Sequence, residues 1–257
     1  MAAKKSYLID MDGVLVHGRT PLPGAADFLR RLRNGGHRFL ILTNNSKYTQ
    51  SDLSHRLTSA GIEVRPDSIF TSAMAAANFV RAQDPDAAAY VIGDTGLYEA
   101  LNGVGVRLTD YRPNVVVLGE MKSYPYDKLL RATQFILDGC PFIATNPDAS
   151  DPTEGGIVPA CGAVAALLEK ATGREAYFVG KPNPLVMRLA LRFLNEHSEN
   201  AIMVGDNMRT DIKVGLESGL KTILVLTGMT RREDIETFPY RPNSVLEGVG
   251  DIDLEVE

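Results

Sequence analysis

Cysteine and histidine are scarce in this sequence, too scarce and too scattered for a zinc site. There are only two cysteines, Cys140 and Cys161, without CxxC spacing, and the four histidines at positions 17, 37, 55 and 197 are scattered. A zinc site needs thiolates or imidazoles at fixed offsets, so none is expected here, and the two thiols read as ordinary reduced core residues. No run approaches the ~20 apolar residues that cross a bilayer. The opening MAAKKSYLID has no apolar segment of signal-peptide length, so a soluble, cytoplasmic protein is expected. Net charge is −5 with no basic tract, so neither nucleic acid nor an anionic membrane is an expected partner. An anionic substrate would need locally placed positive charge. Three further devices are missing: GxxxxGK[ST], GxGxxG after a strand, and the GxSxG serine elbow.

What is present is an alternation. Short apolar runs at Tyr7–Ile9, Phe39–Leu42, Ala89–Ile92, Val115–Leu118, Phe142–Ala144, Tyr177–Val179, Ala201–Val204 and Thr222–Leu226 read as strands. Amphipathic stretches between them, Ala25–Arg33, Ser51–Ala60, Asp127–Leu137, Ala163–Lys170 and Leu185–Leu194, read as helices. This predicts α/β architecture with mostly parallel strands, in one large domain or two modest ones over 257 residues. In such sheets ligands bind beyond the carboxyl ends of the strands. Four ends carry chemistry: YLID-MDG, FLIL-TNN, YFVG-KPNP and AIMV-GDNMRTD. YVIG-DTG, VVLG-EM and FIA-TNPD have the same form, with Asp94, Glu120, Asn146 and Asp148. Strand-to-loop turns favour Gly, Asp and Asn on conformational grounds alone, so pattern does not decide which ends share a site.

Carboxylates without companion histidines or cysteines favour a hard, oxygen-seeking ion, and Mg²⁺ fits best. Asp10 and Asp12 follow a run that reads as a buried strand, where unpaired charge is unfavourable. A bound Mg²⁺ would offset repulsion among Asp10, Asp12 and Asp206 and stabilise charge developing on a phosphate oxygen. One such carboxylate can act as a nucleophile and form an aspartyl-phosphate. The acid two residues on is then placed to protonate the departing alkoxide. Thr43, Asn44 and Lys181 would hold the remaining phosphate oxygens.

These residues resemble the haloacid dehalogenase (HAD) superfamily of phosphatases, whose four motifs match in order. DMDGV (10–14) is similar to DxDG[TV], LTNN (42–45) to the apolar-strand-then-Thr/Ser motif, Lys181 in GKPNP to the motif lysine, and GDNMRTD (205–211) to the acidic motif. TNPD (145–148), VPACGA (158–163), VGKPNP (179–184) and VGDNMRTDI (204–212) extend the resemblance to the NagD-like subfamily over nearly the whole chain. The resemblance implies a Rossmann-like parallel-sheet core from residues 1–74 and 179–257, with an inserted α/β cap at 75–178. It implies Asp10 as nucleophile and Asp12 as general acid and base. The metal would be bound by the Asp10 carboxylate, the Asp12 main-chain carbonyl and Asp206, with Asp211 supporting that shell. Thr43, Asn44 and Lys181 would bind phosphate. Asp94 and Glu120 fall in the cap and read as structural, while the Thr145–Asp148 loop is expected to face the core site.

An acid at Asp12 favours phosphatase over dehalogenase or P-type ATPase chemistry, and the missing cap after the first motif disfavours a mutase. The loop TNPDASDPTEGGIVPACG offers Asn146, Asp148, Asp151 and Glu154 but no basic residue, which suits hydroxyls, amides or a base edge. The resemblance to NagD-like proteins implies nucleoside monophosphates as leading substrates, with sugar, glycerol or aryl phosphates as the alternative. No aromatic stands at Gly156, Ile157 and Val158 on which a base could stack. A catalytically weak sensor of phosphorylated metabolites is the alternative of another class. The partner expected is a small phosphorylated metabolite, and a homo-oligomer is compatible with the sequence.

Overall fold

The computed structural model describes residues 4–153 and 155–254, so Glu154 lies outside the described residues. The chain begins with β1 Ser6–Ile9, a hairpin of β2 Val16–His17 and β3 Thr20–Pro21, α1 Ala25–Gly35, β4 Phe39–Thr43 and α2 Gln50–Ser59. Next come β5 Ile69–Thr71, α3 Ser72–Gln83, β6 Ala88–Ile92, α4 Thr95–Gly103, β7 Arg107–Leu108, β8 Val115–Leu118 and α5 Tyr126–Leu137. β9 Phe142–Ala144, β10 Ser150–Thr153, β11 Gly156–Pro159, α6 Cys161–Thr172 and β12 Tyr177–Phe178 follow. The last elements are α7 Pro184–Leu194, β13 Ala201–Gly205, α8 Lys213–Glu217, β14 Lys221–Val225 and β15 Ser244–Leu246. Every strand and helix expected from the sequence is present within two residues of its expected ends.

The chain forms two compact units. The first is built from residues up to Thr43, Gln50–Phe70, and the chain from Lys181 onward; the second from Asn44–Thr49 and Thr71–Gly180.

In the first unit the sheet order is β15-β14-β13-β1-β4-β5, and the pairs β15/β14, β14/β13, β13/β1 and β1/β4 are parallel. β1 lies between β13 (Ser6 opposite Ala201) and β4 (Tyr7 opposite Phe39), with all four of its residues buried. Burying a Leu or Ile side chain contributes about 1.5–3 kcal/mol, so Leu8 and Ile9 anchor β1 from both faces. Strand order reverses at β1, which makes its carboxyl end the switch point where such sheets bind ligands. α1 buries Ala25, Phe28, Leu29 and Leu32 at helical spacing and stops at Gly36, whose φ of 66° supplies the left-handed cap. α7 starts at Pro184 after Asn183, whose side chain accepts from the Leu185 N–H at 2.9 Å, so the helix begins three residues after Lys181.

The second unit has its own parallel sheet, β12-β9-β8-β6-β7. Tyr90, Ile92, Val116, Leu118, Phe142 and Ala144 pack with Ala132 and Ile136 of α5 and Cys161, Ala165 and Leu168 of α6. β10 and β11 form an antiparallel hairpin, with Ile157 80% exposed. Asn44–Thr49 belongs here because its polar groups are satisfied here. The Ser46 N–H donates to Glu120 Oε2 (2.9 Å), the Glu120 N–H to Ser46 Oγ (2.8 Å), and the Gly96 N–H to the Lys47 carbonyl (3.0 Å). No helix among the described residues is long and apolar enough to cross a membrane.

Candidate active site

Asp10 follows β1 directly, and its N–H still donates to the Val204 carbonyl of β13 at 2.9 Å. That bond keeps the end of β1 in register with the end of β13, where Gly205 closes the strand and Asp206 begins the next loop. Beyond Asp206 the chain makes a π-helical turn, Met208–Ile212, opened by Asn207, whose side-chain oxygen accepts from the Arg209 N–H at 2.9 Å. The turn brings Asp211 back over Gly205, where a β-carbon would collide with the Asp211 side chain. Lys181 Nζ lies 2.7 Å from Asp10 Oδ1 and 2.7 Å from Asp211 Oδ1. The second oxygen of Asp211 accepts from the Asn207 N–H at 3.2 Å.

Asp206 is fixed by the loop after β14. Its Oδ2 accepts from the Met229 N–H at 2.6 Å, its carbonyl from the Thr230 N–H at 3.1 Å, and Thr230 Oγ1 accepts from the Met208 N–H at 3.0 Å. Thr227 Oγ1 donates to the Gly13 carbonyl at 2.6 Å. A β-carbon at Gly13 or Gly228 would run into the Asp206 carboxylate, and Gly13 has a φ of 83°. Both sites therefore require glycine.

Oxygens of Asp10, Asp206 and Asp211 can come within 4.8 Å of one another, with one ammonium among them. Burial pushes the Asp10 carboxyl well above the usual carboxylate range; Lys181 opposes this, while Asp211 and Asp206 add to it. Asp206 is pushed up to about 7, by burial first and Asp211 second. Burial alone would lower the Lys181 ammonium, but Asp10 and then Asp211 outweigh it and hold it above the ordinary lysine value. Three clustered carboxylates against one cation form an all-oxygen donor set with excess negative charge. That set fits a divalent, oxygen-seeking metal ion.

The burial expected at the end of β1 is corrected for Asp12. The Asp10 side chain is 14% exposed and that of Asp12 52%, because the turn after Asp10 directs Asp12 away from the sheet. Arg56 of α2 meets it there, Nη2 to Oδ1 at 3.0 Å, and no sequence pattern linked these residues. Deep burial falls instead on Asp206 and Asp211. Thr43 ends β4 and is buried in the first unit. The other sequence-predicted residues cluster in the second unit. Asn44 Nδ2 donates to Asp148 Oδ2 at 2.9 Å, Asn146 Nδ2 to the Asn44 carbonyl at 2.9 Å, and the Asp148 N–H to Asn146 Oδ1 at 3.1 Å. Asp94 accepts from the Lys122 N–H at 3.1 Å, and burial pushes Glu120 up to about 7.

The chain as a whole is similar to known proteins. Residues 7–107 match the family model for haloacid dehalogenase-like hydrolases, and residues 178–252 match the HAD-hydrolase-like model. The chain is 46% identical over 252 residues to the dihydroxyacetone phosphatase of Corynebacterium glutamicum, covering 98% of this chain and 92% of that one. It is 44% identical over 252 residues to the ribonucleotide monophosphatase NagD of Escherichia coli, covering 97% and 98%. The solved structure of NagD from E. coli K-12 superposes with a TM-score of 0.93 at 42% identity, covering 98% of this chain and 99% of that one. The chain belongs to the haloacid dehalogenase-like hydrolases. Within them it is a NagD-like phosphatase, a phosphomonoesterase acting on small phosphorylated substrates.

Proposed function

We propose that the protein is a Mg²⁺-dependent phosphomonoesterase that works through an aspartyl-phosphate on Asp10. The observation that carries this is the convergence of Asp10, Lys181, Asp211 and Asp206 at the ends of β1 and β13. A carboxylate oxygen of Asp10 attacks phosphorus while the bond from phosphorus to the ester oxygen breaks. The electron pair leaves with that oxygen, which takes a proton from Asp12. Water then attacks the same phosphorus and gives a proton back to Asp12, releasing phosphate and restoring Asp10. Lys181, Thr43 and Asn44 bind the phosphoryl oxygens, and the Lys181 ammonium beside Asp10 favours its carboxylate form against the burial that disfavours it. Mg²⁺ would be held by the Asp10 and Asp206 carboxylates and the Asp12 carbonyl, where it supplies Lewis-acid stabilisation of phosphoryl charge. Asp211 orients Lys181 and supports the metal site.

The first unit is the catalytic core, and the segment inserted between Thr43 and Lys181 sets leaving-group preference through Asn146 and Asp148. Nucleoside monophosphates are the leading substrates, in line with the ribonucleotide monophosphatase likeness. The β10–β11 hairpin favours a second reading, short sugar, triose or glycerol phosphates, because Gly156, Ile157 and Val158 give a base nothing aromatic to stack on. The cytoplasm, where free thiols such as Cys140 and Cys161 persist, is the expected compartment.

The test is phosphate release from nucleoside monophosphates, sugar phosphates, dihydroxyacetone phosphate, glycerol phosphate and 4-nitrophenyl phosphate, with Mg²⁺, with chelator, and with Asp10→Asn. Turnover that survives chelation or Asp10→Asn would sink the mechanism. The ranking by kcat/KM decides between the two substrate readings.

A further inference from the structure

Arg56 stands in the last turn of α2 and makes two contacts through a single nitrogen. Its Nη2 donates to Asp12 Oδ1 at 3.0 Å and to the Gly18 carbonyl at 2.5 Å. Gly18 is the turn of the β2–β3 hairpin, with a φ of 59°. The same hairpin holds the main chain beside Asp12, through the Asp12–Val16 bridge and the Gly13 N–H on the Val16 carbonyl at 2.8 Å. Asp12 is thus fixed from both ends, its backbone through Val16 and its carboxylate through Arg56.

An exposed ion pair of this kind adds little to folding stability. The Arg56 side chain is 26% exposed and that of Asp12 52%, so the pair is not a core element. What the contact does offer is direction, because an Nη2 held on the Gly18 carbonyl fixes where the Asp12 carboxylate meets it. We propose that Arg56 is the positioning residue for Asp12, setting the arc from which its carboxyl group reaches the leaving-group oxygen. This rests on the reading of Asp12 as the proton donor. A misplacement of about 1 Å in a reacting group can cost ~10²-fold in rate, and general acid catalysis is itself worth ~10²–10⁴.

The leaving group provides the test. An alkoxide must be protonated as it departs, whereas 4-nitrophenolate leaves without a proton. kcat/KM reports steps through release of that group, so the later role of Asp12 toward water does not enter it. The measurement is kcat/KM for glycerol 3-phosphate, uridine 5′-monophosphate and 4-nitrophenyl phosphate in wild type, Asp12→Asn, Arg56→Ala and the double variant. Arg56→Ala is expected to lose at least ~10-fold on the better alkyl ester and less than ~3-fold on the nitrophenyl ester. Arg56→Lys should recover part of the alkyl activity. In the Asp12→Asn background, Arg56→Ala should cost nothing further, since both changes remove one function. Should Arg56→Ala fold poorly, Arg56→Gln removes the charge while keeping a donor for the Gly18 carbonyl. Equal losses on alkyl and nitrophenyl esters, no loss on either, or additive losses in the double variant would overturn the assignment. If Asp12→Asn shows no preference between leaving groups, the reading of Asp12 fails first and the role of Arg56 falls with it.

Discussion

The two parallel sheets use the same sequence grammar to different ends. In both, an apolar strand runs into Gly, Asp, Glu or Asn: LID and VGD in the first unit, IGD, LGE and ATN in the second. In the first unit the acids turn toward one another. Asp10 and Asp211 both meet Lys181, Asp206 joins the two carboxylates within 4.8 Å, and loop backbone satisfies only part of their demand. In the second unit each acid is tied to nearby amides: Asp94 to the Lys122 N–H, Glu120 to the Ser46 N–H, Asp148 to Asn44. An acid satisfied by amides closes a loop, while a crowd of acids around one ammonium retains the capacity to bind a cation and react. The difference lies in what each strand end faces, which no single strand reveals.

Substitutions on the two sides should separate accordingly. The largest effect is expected for Asp10→Asn, which should lower kcat at least ~10³-fold while the protein stays folded by circular dichroism. Lys181→Met should follow, lowering kcat/KM by about 10²-fold. It should also lower the melting temperature, because removing one partner of a buried pair costs about 3–5 kcal/mol. The metal should come next, through pH. With Asp206 pushed up to about 7, the ion must displace a proton near neutrality, so Mg²⁺ affinity should rise from pH 6 to pH 8. Calorimetry in buffers of different ionisation enthalpy should record the released proton; affinity flat with pH would refute this.

The smallest effect on rate is expected in the second unit. Glu120→Gln should leave kcat within a factor of about 3, as expected for a group that only closes a loop. Its effect should appear in stability. Glu120 is pushed up to about 7 in the folded protein from an ordinary value of 4.5. Between these values the folded state holds a proton the unfolded chain has lost, so stability falls as pH rises through the window. Glu120→Gln should flatten that slope, melting above wild type at pH 8 and close to it at pH 5. A large loss of turnover in Glu120→Gln would erase the contrast between the two sheets.

How much of this could be read in advance varied with the physics involved. FLILT and YLID were legible because a buried parallel strand is a continuous apolar run with an abrupt polar end. Ser72–Gln83 was not, because SAMAAANFVRAQ buries Ala73, Ala75, Ala76 and Ala77 on more than one face and shows no helical period. Thr95–Gly103 carries two glycines and reads as loop. In the site, Asp206 and Lys181 were legible as strand-end chemistry. The loop that cages Asp206 was not, although Gly228 follows an apolar strand, because nothing local to that strand points to Asp206. Arg56 left no trace, since its link to Asp12 exists only once α2 has packed beside the β2–β3 hairpin. The break between Thr43 and Asn44 runs through the middle of LTNN, so local pattern could not place it.

The position of β1 between β4 and β13 also governs how the molecule is made. On the ribosome β4 soon covers one side of β1, but the other waits for Ala201–Gly205, which emerge only after the whole second unit has been synthesised. Until then the nascent chain carries an open strand edge of Ser6–Ile9, the kind of edge that recruits chaperones or neighbouring chains. The second unit can close its own sheet meanwhile. Asp206 and Asp211 reach Asp10 only when β13 seals that edge, so the growing polypeptide stays chemically silent until residues 201–212 have been made.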